Sequence, residues 1–135
     1  LKKERVVFAE KMNLSDHLSR QRCGDLFLDT FNYNASCTAT DALWSGMPLI
    51  TKTGNSFSAR IATSILRACS LNELITDNYS DYESIAYELA TNKEKYNTIR
   101  KKVKDKINCS FFDSKKFTHE LENIYLHKIN YKNLS

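Results

Sequence analysis

The sequence lacks the features that would place it in a membrane or in the secretory pathway. No apolar run approaches the roughly 20 residues of a membrane-spanning helix, and no apolar segment of a signal peptide follows the first residues. The four cysteines include no C-x-x-C pair, which argues against a zinc site or a redox motif. We therefore expect a cytoplasmic protein with reduced thiols and neither a metal nor a cofactor. The absence of an initial Met suggests part of a longer polypeptide.

Positive charge is in modest excess, with 20 Lys and Arg against 16 Asp and Glu. The excess is concentrated in residues 93–116, where a nucleic-acid patch is one interpretation. A solvated helix face is the favoured alternative, because the basic residues alternate with an apolar stripe and no aromatic platform is interleaved for bases. We expect neither a nucleic acid nor a membrane as a partner.

Short apolar runs separated by helical patterns predict the fold class. The predicted strands are residues 6–9, 26–28, 48–51 and 73–76, and the predicted helices between them are 15–22, 38–45 and 56–69. Because these runs lack polar alternation, we expect a parallel sheet buried on both faces. The prediction is an α/β fold, a Rossmann-like parallel sheet with helices on both faces and a helical C-terminal tail. It forms one domain, residues 1–135, with its α/β part at 1–78 and its tail at 79–135.

Three apolar stripes with helical spacing predict the tail. They are Ile85, Leu89 and Ala90; Tyr96, Ile99, Val103 and Ile107; and Phe117, Leu121, Ile124 and Tyr125. Trp44, on the predicted helix 38–45, is expected to belong to the core rather than to stack on a sugar.

The loop after the second predicted strand leads into a helix near Thr38. A helix N-terminus offers unpaired N–H groups to a phosphate, and the hydroxyls of Ser36, Thr38 and Thr40 could add donors. One turn later, Asp41 could accept hydrogen bonds from ribose hydroxyls. The alternative is an ordinary capped helix in which Asp41 favours the dipole, and spacing alone favours that interpretation.

The loop after the first predicted strand contains Met12 and precedes a second polar pair. His17 and Arg20 are three positions apart and so share a helix face. The imidazole could stack on a base and the guanidinium could bond its carbonyls. The alternative, which spacing alone favours, is two solvated surface residues.

A longer set of motifs adds a resemblance to a known family. They read Asp25-Leu26-Phe27-Leu28-Asp29-Thr30, then Asn34, Thr38, Asp41-Ala42-Leu43-Trp44-Ser45-Gly46-Met47-Pro48 and Ser58-Ala59-Arg60. In these residues the chain resembles the O-linked N-acetylglucosamine transferases, including their SPINDLY-type and bacterial relatives. The similarity runs from about Arg5 to Leu126.

The resemblance implies a GT-B enzyme of two Rossmann-like lobes, of which this chain is part of the second, UDP-binding lobe. It implies transfer of N-acetylglucosamine from UDP-GlcNAc to Ser or Thr hydroxyls of a protein acceptor, without a metal. The implied partners are UDP-GlcNAc or another UDP-sugar, the acceptor protein, an upstream N-terminal catalytic lobe and TPR repeats of the same polypeptide. Two alternatives stay open: a UDP-sugar transferase with another donor or acceptor, and a degenerate non-catalytic interaction module.

The resemblance also implies a UDP site, residue by residue. Its members are Met12 (by its backbone, at the base edge), His17 beside the uridine, Arg20 near the uracil, Ser36, Cys37 and Thr38 at the diphosphate, and Asp41 on the ribose. Cys37 is expected to line the phosphate site, not to act as a nucleophile.

The chain departs from the family pattern at three places. Ser36-Cys37-Thr38 stands where the family has His-Thr-Thr, and Leu14 stands where the animal enzymes have Lys. The family's diphosphate-binding Lys matches no position of this chain. The resemblance assigns no catalytic residue here, so the isolated chain is expected to be inactive.

Overall fold

A computed structural model of the chain describes residues 2–105 and 109–132. The helices and strands follow one another as α1 Leu14–Gln21, β1 Phe27–Leu28, α2 Cys37–Trp44, β2 Leu49–Lys52, α3 Ile61–Ala68, β3 Ile75–Thr76, α4 Tyr79–Thr91, α5 Lys93–Asp105 and α6 Ser114–Lys132. Short 3₁₀ turns occupy Lys3–Arg5, Ser58–Arg60, Asn72–Leu74 and Ser110–Phe112.

The three described strands form one parallel sheet in the order β1-β2-β3. The helices α2 and α3 make the two crossovers and contact each other and β2, while α4 packs on β2 and β3. Leu49, Ile50 and Thr51 of β2 are all fully buried. Successive side chains of a strand point to opposite faces, so both faces of the sheet are covered. The predicted α/β class, with helices on both faces, is confirmed.

The core lies between the sheet and its helices and continues into the helical tail. Leu43 of α2 and Leu66 of α3 join Leu89 of α4 and Val103 of α5 in one buried cluster. Trp44 is not in it, contrary to expectation, because its side chain is 46% exposed and packs edge-on against Phe112.

The strand predicted at residues 6–9 is wrong. This segment has no regular secondary structure and pairs with no strand among the described residues, and Val7 and Phe8 are 86% and 91% exposed. A strand is stable only with a neighbour that takes up its hydrogen bonds. The described sheet accordingly has three strands instead of about four, although the composition of residues 6–9 favours a strand.

The helix predicted at 56–69 begins later than its apolar spacing suggested. Ser58–Arg60 forms a 3₁₀ turn, α3 starts at Ile61, and Phe57 is 80% exposed. The preceding loop folds back so closely that a Cβ on Gly54 would lie 2.5 Å from the Cβ of Ala59. Glycine at that position therefore permits the tight turn that delays the helix.

The helical tail follows the predicted stripes with three qualifications. On α4, Leu89 is buried and Ile85 is half-buried, but Ala90 is exposed. Ile99 and Val103 of α5 are buried as expected, whereas Ile107 lies outside the described residues. On α6 the stripe is exposed except for the half-buried Leu121, with Phe117 63% and Ile124 58% accessible. No helix in the described part of the chain is long and apolar enough to cross a membrane.

Candidate functional site

Asp29 organises the junction between the sheet and α2. It follows β1 directly and is 3% exposed. One carboxylate oxygen accepts hydrogen bonds from the backbone N–H of Thr30 (2.9 Å) and Ala35 (2.7 Å). The other accepts from the hydroxyl of Thr51 on β2 (2.6 Å). Three donors satisfy the buried carboxylate, which fixes the loop that leads into α2.

Tyr82 of α4 supports the same junction from the helical tail. Its hydroxyl donates to the backbone carbonyl of Asp29 at 3.0 Å. Burial, and secondarily the negative charge of Asp29, raise the pKa of Tyr82 to about 12. The phenol therefore stays protonated and keeps donating throughout the neutral range.

Asn34 joins this loop to the next one along the sheet edge. Its backbone N–H donates to the carbonyl of Ser58 at 2.9 Å, and its side-chain amide donates to the carbonyl of Thr30 at 2.8 Å. The side chain is completely buried. The loops that follow β1 and β2 are thus held together as one unit.

The N-terminus of α2 is open. Ser36 occupies the N-cap position, but its side chain makes no capping hydrogen bond to the helix. The side chains of Ser36, Cys37 and Thr38 are all exposed. Ser36 and Thr38 also line a pocket of about 300 Å³ together with Thr30 and Tyr33. Helix N–H groups that no side chain caps are available to an anion.

A second cluster forms on α1. Asn13 caps this helix by accepting from the N–H of Asp16 at 3.0 Å. The guanidinium of Arg20 donates to the carbonyl of Glu10 at 2.8 Å and lies 3.4 Å from the sulfur of Met12. Arg20 therefore holds the irregular segment before α1 in place.

His17 connects the two clusters. Its Nδ1 lies 3.2 Å from a guanidinium nitrogen of Arg20, and its Nε2 lies 3.4 Å from the carboxylate of Asp41 on α2. Gln21, one turn further along α1, has its side-chain nitrogen 3.3 Å from the same Nε2. Because a guanidinium only donates, the contact with Arg20 is a hydrogen bond in the tautomer whose Nδ1 accepts. In that tautomer the Nε2–H faces Asp41, and the side-chain nitrogen of Gln21 is a neighbour of Nε2 rather than a hydrogen-bond donor to it.

Asp41 also shares a face of α2 with Thr38, since the two are three positions apart. The structure thus links Met12, His17, Arg20 and Asp41 directly by contacts. It places Ser36, Cys37 and Thr38 at the start of the helix that carries Asp41. All seven residues named from the sequence lie on α1, α2 and the segments that precede these helices.

Sequence reasoning missed the residues that support this arrangement. The predicted site does not include Asp29, Thr51 or Tyr82, although a polar residue directly after a buried strand is a visible signal for Asp29. Gln21 carried a weaker signal, its spacing of four from His17 on one helix face. Thr51 and Tyr82 become recognisable only once the strands are paired. Among the described residues, no group of three or more His, Cys, Asp and Glu side chains could hold a metal ion.

The architecture is that of a Rossmann-like parallel α/β unit with an open loop-to-helix junction at the carboxyl end of β1. Comparison with known proteins then gives the family. The model of glycosyl transferase family 41 matches residues 1–121, and the chain belongs to that family.

Individual relatives agree with this assignment. A UDP-N-acetylglucosamine–peptide N-acetylglucosaminyltransferase of Caenorhabditis elegans is 33% identical over 89% of this chain. A solved mutant O-GlcNAc transferase of Thermobaculum terrenum superimposes with a TM-score of 0.83 at 31% identity over 90% of this chain. The likeness to this O-GlcNAc transferase identifies the chain as part of a GT-B fold. The chain spans only 10% of the nematode protein and 24% of the bacterial one.

Proposed function

We propose that this chain is the UDP-binding part of a glycosyltransferase that moves N-acetylglucosamine from UDP-GlcNAc to Ser or Thr hydroxyls of proteins. The observation that carries the proposal is the contact of His17 with both Arg20 and Asp41, beside the uncapped start of α2. Membership of family 41 and the named activity of the nematode relative support it.

The diphosphate binds at the N-terminus of α2 in this proposal. Backbone N–H groups at Cys37 and Thr38, the hydroxyls of Ser36 and Thr38, and the positive end of the helix dipole surround it. In glycosyl transfer the negative charge on UDP grows as the bond to the sugar breaks. Fixed donors at that point stabilise the departing group without a metal.

The nucleoside extends from there toward α1. Asp41 accepts from the ribose hydroxyls, His17 lies against the uridine, and Arg20 and the backbone of Met12 meet the uracil. The pairing with His17 holds the Asp41 carboxylate in one orientation before ligand arrives, which reduces the ordering cost of binding.

The rest of the enzyme belongs to segments upstream of this chain, an N-terminal catalytic lobe and TPR repeats, in the proposed arrangement. Two exposed apolar surfaces support such a neighbour: residues 6–8, which include Phe8 at 91% exposure, and the stripe of α6 that includes Phe117 and Ile124. A monomeric domain rarely leaves contiguous apolar surface uncovered.

We also place the protein in the cytoplasm, which compartment fractionation of the source cells would test.

Calorimetric titration of the chain with UDP, UMP and CDP tests the proposal. We expect weak UDP binding, weaker UMP binding because the second phosphate is missing, and weaker CDP binding because Arg20 faces the wrong base edge. Thr38→Val should lower UDP affinity roughly tenfold, the effect of one hydrogen bond to a charged group. Thr98→Val, which removes an exposed helical hydroxyl on α5, is the matched control.

A radiolabelled transfer assay tests the second half of the proposal. The isolated chain should transfer no N-acetylglucosamine to a protein acceptor, because the other lobe is missing. Turnover by the purified 135-residue chain would show that the transferase activity does not require an upstream lobe. Absence of any UDP binding would favour the interaction-module alternative, and tighter binding of a different UDP-sugar would favour another donor.

A further inference from the structure

Two thiols meet on the side of α3 that faces the helical tail. Cys69 directly follows α3 as its C-cap and is 1% exposed. Cys109 precedes the 3₁₀ turn Ser110–Phe112 and is half-buried. Their sulfur atoms lie 3.4 Å apart, although the residues are 40 positions apart in the chain.

We propose that Cys69 and Cys109 form a reversible disulfide that clamps the segment before α6 to α3. A disulfide bond is about 2.0 Å long, so the two sulfur atoms need to approach by only about 1.4 Å. A shift of that size is within the reach of side-chain rotation with a small backbone adjustment.

The difference in accessibility between the two thiols sets the order of the chemistry. The thiolate of Cys109, the more accessible sulfur, attacks the disulfide of oxidised glutathione and releases one glutathione thiolate. The thiolate of Cys69 then attacks Sγ of Cys109 in the mixed disulfide and releases the second glutathione thiolate. The protein loses two protons and two electrons, and one oxidised glutathione becomes two reduced molecules.

The other two cysteines provide internal controls. Cys23 and Cys37 are both exposed, Cys23 just beyond the C-cap of α1 and Cys37 at the start of α2. Among the described residues, Cys69 and Cys109 are the only cysteines whose sulfur atoms are in contact with each other. Exposed thiols without a nearby partner stop at the mixed disulfide with glutathione.

The clamp has a consequence for α2, because the clamped segment packs on that helix. Phe112 lies edge-on against Trp44 with ring centroids 5.4 Å apart. Phe111 lines a cavity of about 440 Å³ with Ser36 and Thr40. A crosslink over so long a loop also restricts the unfolded chain, so the oxidised protein should be the more stable form.

Peptide mapping after equilibration with glutathione tests the clamp. The 135-residue chain is equilibrated at increasing ratios of oxidised to reduced glutathione, alkylated, digested and analysed by mass spectrometry. We expect a crosslinked peptide that contains Cys69 and Cys109, increases with the ratio and disappears with dithiothreitol. It should persist in Cys23→Ser and be absent in Cys109→Ser.

A thermal unfolding measurement supplies the second readout. Oxidation should raise the unfolding midpoint of the wild-type chain and leave that of Cys109→Ser unchanged. The proposal is overturned if Cys109 accumulates only as a mixed disulfide, or if the crosslink involves Cys23 or Cys37. A correct crosslink without a rise in midpoint would overturn the clamp. None of these readouts depends on nucleotide binding, so they stand apart from the proposed function.

Discussion

Replacing Asp41 by Asn separates the two roles that its position allows. The structure weakens the helix-dipole alternative, because Asp41 is the fifth residue of α2 and no acidic residue lies in its first turn. The dipole effect fades beyond that turn. The remaining structural role of Asp41 is its contact with His17. The side chains of His17 and Asp41 are 25% and 28% exposed, respectively. A partly solvated pair of this kind contributes less than about 1 kcal/mol to stability.

The expected loss of binding is larger than this loss of stability. A carboxylate that accepts hydrogen bonds from ribose hydroxyls contributes about 1.5–3 kcal/mol. Asp41→Asn should therefore lower UDP affinity roughly tenfold to a hundredfold, measured by calorimetric titration. The unfolding midpoint in urea should move little. Asp105→Asn, which removes the same charge from an exposed position at the end of α5, should change neither quantity.

Unchanged UDP affinity together with a lowered unfolding midpoint would refute the ribose assignment. Asp41 would then be a structural partner of His17 and nothing more. The proposed roles of His17 and Thr38 would weaken with it, because all three rest on one placement of the nucleotide.

Three further predictions concern metal, pH and the segment before α1. UDP affinity should differ by less than about tenfold, about 1.4 kcal/mol, between EDTA and magnesium or manganese; a larger metal dependence in calorimetry would contradict stabilisation by the helix N-terminus. Tyr82→Phe should cost about 1 kcal/mol of unfolding free energy at neutral pH. Because the folded-state pKa of Tyr82 is raised from 10.0 to about 12, its contribution is complete below pH 10 and declines from there to about pH 12. The gap between the wild type and Tyr82→Phe in urea titrations should narrow over that range, and a constant gap would argue against the raised pKa. Phe8→Ser should change the unfolding free energy of this chain by less than about 0.5 kcal/mol, because Phe8 is 91% exposed; a large loss would mean that residues 6–9 pair with the sheet after all.

The fold was largely predictable, because burial on both faces of a parallel sheet leaves a pattern in the sequence. The apolar runs that became β1, β2 and β3 were recognised at the right places. The run at residues 6–9 has the same composition, but a strand also needs a partner, which composition does not reveal. The prediction for Trp44 was wrong for a related reason. The position of a large side chain depends on the residues that pack beside it, here Phe112.

The helices that carry the seven predicted residues could be located from the sequence, whereas the contacts between those residues could not. Helix spacing grouped His17 with Arg20 and suggested Asp41 separately, and the resemblance to a family assigned all three to one predicted site. Their assignment to UDP, like the division of the chain at residue 78, stays a prediction. The contact between His17 and Asp41 joins two helices, and no spacing rule within one helix predicts a pair of that kind.

Asp29 makes the conformation at the start of α2 depend on which parts of the chain have already folded. Its carboxylate holds the N–H of Ala35 and the hydroxyl of Thr51, 22 positions away on β2. The loop before α2 therefore takes its shape only after β1 and β2 have paired. Exchange of the Ala35 amide with solvent deuterium should then require opening of the sheet and proceed at the rate of the slowest core amides. A ligand at the start of α2 would bind only when the sheet is assembled. It would therefore lower the exchange rate of the Ala35 amide to the extent that the site is occupied.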